Sequence, residues 1–305
     1  MQRKGGRGTA GHLSRLKPAE VDPLAEYGLP SKGEKRLLSH KVQETYYSKI
    51  AERYLAFCTS AGDRDGLQKQ FARLAIDNSN NNNNNSTPSS SQSSITTAAT
   101  TATTPRTTPS DLDHILSALR KLREGIVASK RRDDFATQAY LFAIRLGILA
   151  AAPETYHPAL LYLVRVIHPA HNLTSTELHE VVAYLVLDAA CRRGDLAEAY
   201  ALRNRHGLRD AKVDGVLRAL VQDDWVLWRR MRRSVDGHRV KLMEFAEAGV
   251  RAHALKAFGR SYLSVGVEFL ETQALASWGE LTREYGVGWE LSNGRVVIRK
   301  IQGRS

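Results

Sequence analysis

The chain has 305 residues, 42% of them hydrophobic, and carries 44 Lys and Arg against 32 Asp and Glu, a formal net charge of +12. That length supports one sizeable core without disulfide or metal staples, and is a soft prior for two domains. No apolar run approaches the ~18 residues that suggest a membrane span. The longest, 141–149 and 181–187, are interrupted by Arg145 and closed by Asp188, and read as buried amphipathic helices.

The positive balance favours acidic partners, nucleic acid among them, although a solvated basic tail would give the same sum. Cys58 and Cys191 lie far apart inside helical patterns and lack zinc spacing, which predicts reduced, buried thiols. With no apolar secretory stretch in Met1–Lys17, the expected compartment is the cytoplasm or the nucleus.

Composition divides the chain into a basic arm (1–21), a small helical block (22–77), an Asn/Ser/Thr-rich linker (78–109) and a globular domain (110–301). The arm and the linker are expected to be disordered, because their compositions bury too little apolar surface to offset ordering entropy. In the block, Ser31-Lys32-Gly33-Glu34 has the spacing of a capping box. A helix follows with Tyr46, Tyr47, Ile50, Tyr54, Phe57 and Cys58 on one stripe, stopped by Gly62. A second, short helix is expected with Leu67, Phe71, Leu74 and Ala75 on one side. Such stripes require cover, either from the main domain or from another protein.

The main domain reads as helical until its end. Helices are expected over 110–128, 135–151, and 157–167, the last opened by Pro158 and stopped by Pro169. Thr174-Ser175-Thr176-Glu177 is a capping box for a helix ending near Arg193. Gly194-Asp195 turns the chain into the next helix, forming a helical hairpin of the tetratricopeptide sort without a true 34-residue repeat. Helices over 212–220 and 224–233 complete an array assigned to 110–245. The terminal unit, 246–301, reads differently. Helices are expected over 250–263 and 267–275, and another begins at the capping box Ser277-Trp278-Gly279-Glu280. Asn293-Gly294, between Trp289-Glu290-Leu291 and the β-prone run from Arg295 to Ile301, is a strong hairpin signal. The fold class is therefore mainly α: a degenerate helical-repeat array capped by a C-terminal winged helix with a β-hairpin.

These residues carry a resemblance. Degenerate helical pairs before a winged helix resemble the PCI module of the proteasome lid, the COP9 signalosome and translation initiation factor three. Within it, 219–228 looks like the polar turn before a short aromatic helix, while 254–262, 267–270 and 288–291 look like the family's closing segment. The likeness spans roughly Leu116 to Ile301 and fits the short subfamily best: the smallest COP9 subunit, its lid relative and subunit k of the initiation factor. The Sac-type messenger-RNA export family is the runner-up. The strong basicity and the Asn-rich insertion depart from the lid and COP9 members. The resemblance implies a non-catalytic scaffold whose partners are other complex subunits, docked through the β-edge of the winged helix. The residues expected at that edge are Trp289, Leu291, Asn293, Gly294, Arg295, Val297 and Arg299.

Independently of the resemblance, no nucleophile, phosphate loop or metal spacing appears. His168-Pro169-Ala170-His171 lacks a third ligand and reads as a loop or cap. No enzymatic activity, cofactor, membrane association or small-molecule substrate is expected. One basic cluster stands out: Arg229, Arg230, Arg232 and Arg233, followed by Arg239 and Lys241. With the basic arm, it suggests an alternative, an RNA- or DNA-associated helical protein in which Trp228 stacks on a base. Neighbouring Asp223, Asp224, Asp236 and Glu244 could instead neutralise it. Glu280 and Glu284 on the expected third helix of the wing oppose phosphate binding there.

Overall fold

The computed structural model describes residues 26–60 and 109–299, together with Leu24, Gly62 and Gly66. The basic arm, the helix expected around 67–75, nearly all of the linker, and Lys300 and Ile301 lie outside the described residues.

The protein is mainly helical, with a small antiparallel sheet near its C-terminal end. Its first helix, α1 (His40–Ser60), does not open on the expected capping box. Two 3-10 turns, Pro30–Lys32 and Arg36–Leu38, precede it. No side chain caps the first of these, and Glu34 instead grips Arg36. The backbone N–H of Ser31 donates to Glu124 Oε1 at 2.6 Å. Gly33 explains the difference: it sits at φ +92°, a left-handed conformation incompatible with the start of a helix.

Helix α2 (Pro109–Ala128) covers α1, so the apolar stripe of α1 is buried within this chain. Tyr46, Ile50 and Phe57 join Leu112, Ile115, Leu119 and Leu122 in one core. Arg131 fastens the pair. It contacts Glu44 at 2.6 Å and Asp133 at 2.8 Å, donates to Gln43 and the carbonyl of His40, and lies 4.2 Å from the Phe135 ring centroid.

Helical hairpins follow. Helix α3 (Asp134–Leu149) is capped by Asp133 and packs on α4 (Pro153–Tyr162). Gly147 permits this approach, since a Cβ there would lie 3.1 Å from that of Tyr156. Helix α4 starts at Pro153, earlier than the His157 start expected, because Pro153 occupies the first turn, where a missing N–H costs nothing. It continues through a π turn (Leu163–Ile167) and His168–Ala170 before ending at His171. The expected break at Pro169 is thus delayed by a turn, with the helix widened just ahead of the proline.

Helix α5 (Ser175–Leu187) opens on the Thr174/Glu177 capping box and also runs into a π turn (Asp188–Arg192). Gly194, at φ +68°, reverses the chain, and Asp195 caps α6 (Leu196–Arg205). Helices α7 (Ala211–Val221) and α8 (Trp225–Ser234) are capped by Asp210 and Asp224. They pack so closely that a Cβ on Gly215 would collide with Met231. Each such cap contributes roughly 1 kcal/mol.

Helix α9 (Gly237–Ser261) is longer than the expected 250–263, and the expected boundary at 245/246 falls inside it. Asp236 caps it by accepting from the N–H groups of His238 and Arg239. Its first half packs on α3, α5 and the π turn at 188–192. The first core ends with Leu242 and Met243, and a second begins at Leu255.

That second core is small: Leu255, Phe258, Val265, Leu270, Ala274, Leu281 and Val296. Around it the chain runs through β1 (Ser264–Gly266), α10 (Val267–Ala274), α11 (Trp278–Arg283), β2 (Glu290–Ser292) and β3 (Arg295–Val297). The sheet order is β1-β3-β2, antiparallel throughout. Trp278, Tyr285 and Trp289 pack on this core. Arg251 of α9 donates to the carbonyls of Ala274 and Leu275 and to Tyr285 Oη, and pairs with Glu247 at 2.6 Å. It therefore ties the segment after α10 to the long helix.

Candidate interaction site

The hairpin β2–β3 turns at Asn293-Gly294, with φ of +49° and +73°. Ser292 pairs with Arg295, so only these two residues form the loop. Positive φ at both positions is the two-residue turn whose twist suits a hairpin, and Asn-Gly adopts it at least cost.

The register decides which groups face outward. In a two-residue hairpin the residues flanking the loop exchange both hydrogen bonds, and pairs alternate from there. Leu291, opposite Val296, is consequently a non-bonded pair, so its N–H and C=O point away from β3. On the far side of β3 the same alternation holds: Ile298 donates to the Leu263 carbonyl at 2.8 Å and Val267 to that of Gly294 at 3.1 Å. Among the described residues no strand pairs with the outer edge of β2. Leu291 is 47% exposed there.

This arrangement corrects the expected edge. Strand β3 is central, because β1, a strand the sequence reading missed, covers its other side. Arg295 and Val297 are thus paired on both flanks. Arg295 donates to Ser264 Oγ at 3.1 Å, and Arg299 binds the Arg260 carbonyl. Of the seven residues expected at the edge, Leu291 carries outward main-chain groups, Asn293 and Gly294 form the tip, and Trp289 packs inward.

The basic cluster is largely engaged. Arg229 donates to the Thr272 carbonyl at 2.5 Å. Arg232 lies 3.5 Å from Glu247 and 3.7 Å from Glu244. Arg239 pairs with Asp210 at 2.8 Å and Asp236 at 3.1 Å, and Lys241 with Glu244 at 2.9 Å. Arg230 and Arg233, both exposed and three residues apart on α8, have no acidic partner among the described residues. Trp228 is 2% exposed and belongs to the first core, so it cannot stack on a base. Asp223 pairs with His253 at 2.5 Å and Asp224 caps α8, so neither neutralises the cluster. Glu280 is spent on its capping box, while Arg283 and Glu284 of the same helical segment are exposed and 3.7 Å apart.

One buried charge was not anticipated. Asp188, fully buried in the second π turn, accepts from Tyr156 Oη at 2.7 Å and from Arg192 at 2.6 and 2.8 Å. His157 Nδ1 lies 3.0 Å away. Burial pushes the Asp188 carboxyl up, but the hydrogen bonds from Arg192 and Tyr156 outweigh it and hold it below the usual carboxylate range. Burial depresses His157 and raises the neighbouring Cys191 thiol. The i, i+4 spacing of Asp188 and Arg192 was visible in the sequence; that the acid faces inward was not. His168 accepts from the Leu173 N–H at 3.2 Å, and His171 contacts Asp134 at 2.7 Å. Among the described residues no group of three His, Cys, Asp or Glu could hold a metal ion. Nor is any helix there long and apolar enough to cross a membrane.

Comparison with family models and with curated proteins finds no match for this chain.

Proposed function

We propose that this chain is a non-catalytic scaffold subunit of the PCI type, resident in the cytoplasm or nucleus, that docks into a multisubunit complex of the lid, COP9, initiation or export kind. The order α9-β1-α10-α11-β2-β3, with β3 central, supports reading the terminal unit as a winged helix on the end of a helical array, as the resemblance implies. The observation that carries the reading is the outer edge of β2, which no strand among the described residues covers and where the Leu291 N–H and C=O point outward, open to a strand from another subunit. A chain ending at Gly288 is expected to lose its co-purifying partner subunits while its circular dichroism retains the helical array. Retention of every partner by that chain would overturn the reading.

RNA or DNA association through 229–241 has less support. Four of the six cations are engaged within the chain and Trp228 is buried. Charge reversal of Arg230 and Arg233 should leave nucleic-acid affinity at the level of any basic protein with a shallow salt slope. A steep slope in the wild type, lost in that variant, would favour the nucleic-acid reading.

A further inference from the structure

Away from the sheet, a cavity of about 380 Å³ opens where the π turn at 188–192 meets α7 and α9. Its walls include Cys191, Leu220, Phe245 and Val250, with Arg193 and His253 also lining it. Its size and its mostly apolar lining with a few polar groups are those of a site that receives a ligand group.

Gly249 gives an independent pointer. It lies in the interior of α9 and lines the cavity. Glycine there weakens a helix relative to alanine, so a reason within the fold is expected. Gly125, Gly147 and Gly215 each have one: a Cβ would lie 2.8 and 3.1 Å from a neighbour at the first two and collide with Met231 at the third. A Cβ on Gly249 would meet nothing within 4 Å, and its φ is not positive. Gly249 is exposed, so its missing side chain leaves open space beside the helix backbone at the cavity wall.

Charge selects the visitor. His253 is paired with Asp223 at 2.5 Å, and Arg192 is held by Asp188 at 2.6 Å. Arg193 is left with only a 3.8 Å approach to that same, already engaged carboxylate, so its guanidinium has donors to spare. The chain's own basic arm repeats Arg3, Lys4, Arg7, Arg15 and Lys17, the wrong sign for this rim, and the chain as a whole carries +12.

We infer that this cavity is a docking socket for a short acidic segment of a partner protein, which inserts one apolar side chain beside Gly249 and pairs a neighbouring carboxylate with Arg193. The socket is separate from the β2 edge and does not depend on it.

The test is selection of the purified full-length protein against a random displayed dodecapeptide library, with enriched peptides remade carrying fluorescein. The expected peptides share an apolar residue next to Asp or Glu. They should lose at least tenfold in affinity to Gly249→Phe, which fills the space and improves helix propensity, and to Arg193→Gln, with unchanged circular dichroism. They should bind Leu291→Pro as well as wild type, so failure of the edge reading leaves this result intact. No enrichment, enrichment of basic peptides, or equal binding to Gly249→Phe overturns the inference. So does self-association of the wild type, in sedimentation, that Gly249→Phe abolishes, since the occupant would then be a second copy.

Discussion

Asp188 shows how one buried residue ties stability to pH. Its carboxyl is held below the usual range in the folded state, so the unfolded chain binds the proton more readily. The resulting stability is complete above the unfolded value of about 4 and lost as pH falls through the folded value. His157, depressed by burial, acts in the same direction, with loss beginning near pH ~6.5. Denaturant melts from pH 7 to 3 should show a declining stability whose acid limb is shallower in Asp188→Asn. An identical limb in that variant would contradict the assignment. Asp188→Ala should cost ~3 kcal/mol at pH 7, because Arg192 and Tyr156 lose a buried partner. None of this was legible beforehand, since sequence spacing does not say which acid on a helix faces the core. Capping was legible: Thr174 with Glu177, and Ser277 with Glu280, form the reciprocal bonds that their spacing predicts. Ser31 with Glu34 has the same spacing and fails, because Gly33 takes a left-handed turn between them.

At the scale of elements, long periodic helices and the hairpin turn could be read directly, and short or weakly patterned ones could not. Strand β1 has one inward residue, Val265, and a single residue sets no period. The first half of α9 was missed because its inward residues are sparse, Leu242 and Met243 among mostly polar neighbours. That omission hid the main link between the two cores. Arg251, seated on α9, holds the carbonyls that end α10. Arg251→Met is expected to loosen the 264–299 segment selectively. Hydrogen exchange should rise there by an amount equivalent to ~2 kcal/mol, as expected for stranded carbonyls, while α3 and α5 keep their protection. Uniform acceleration across the whole chain would mean that the two cores unfold as one. Gly294→Val should strain the β2–β3 turn by roughly 1–2 kcal/mol, read as a lower thermal midpoint for the sheet. An unchanged midpoint would mean that the turn does not limit sheet stability.

For the whole molecule, the helical part holds the larger core and the C-terminal sheet rests on a smaller one. The sheet has an outer edge on β2 that no strand among the described residues covers. Its position came from the sequence, through Asn293-Gly294, but its identity did not. The seven residues expected at the edge included Arg295 and Val297, which β1 makes central, and Arg299, which binds the Arg260 carbonyl of α9. Only the register singles out Leu291. That residue permits a direct test of the docking claim. Proline is tolerated on an edge strand where its N–H would face outward, so Leu291→Pro removes one outward donor and leaves the β2–β3 ladder intact. The measurement is quantitative co-purification of partner subunits with tagged wild-type and Leu291→Pro chains, at matched expression and thermal midpoint. The account predicts that the variant loses its partners by at least tenfold; undiminished partner recovery would contradict docking through the β2 edge.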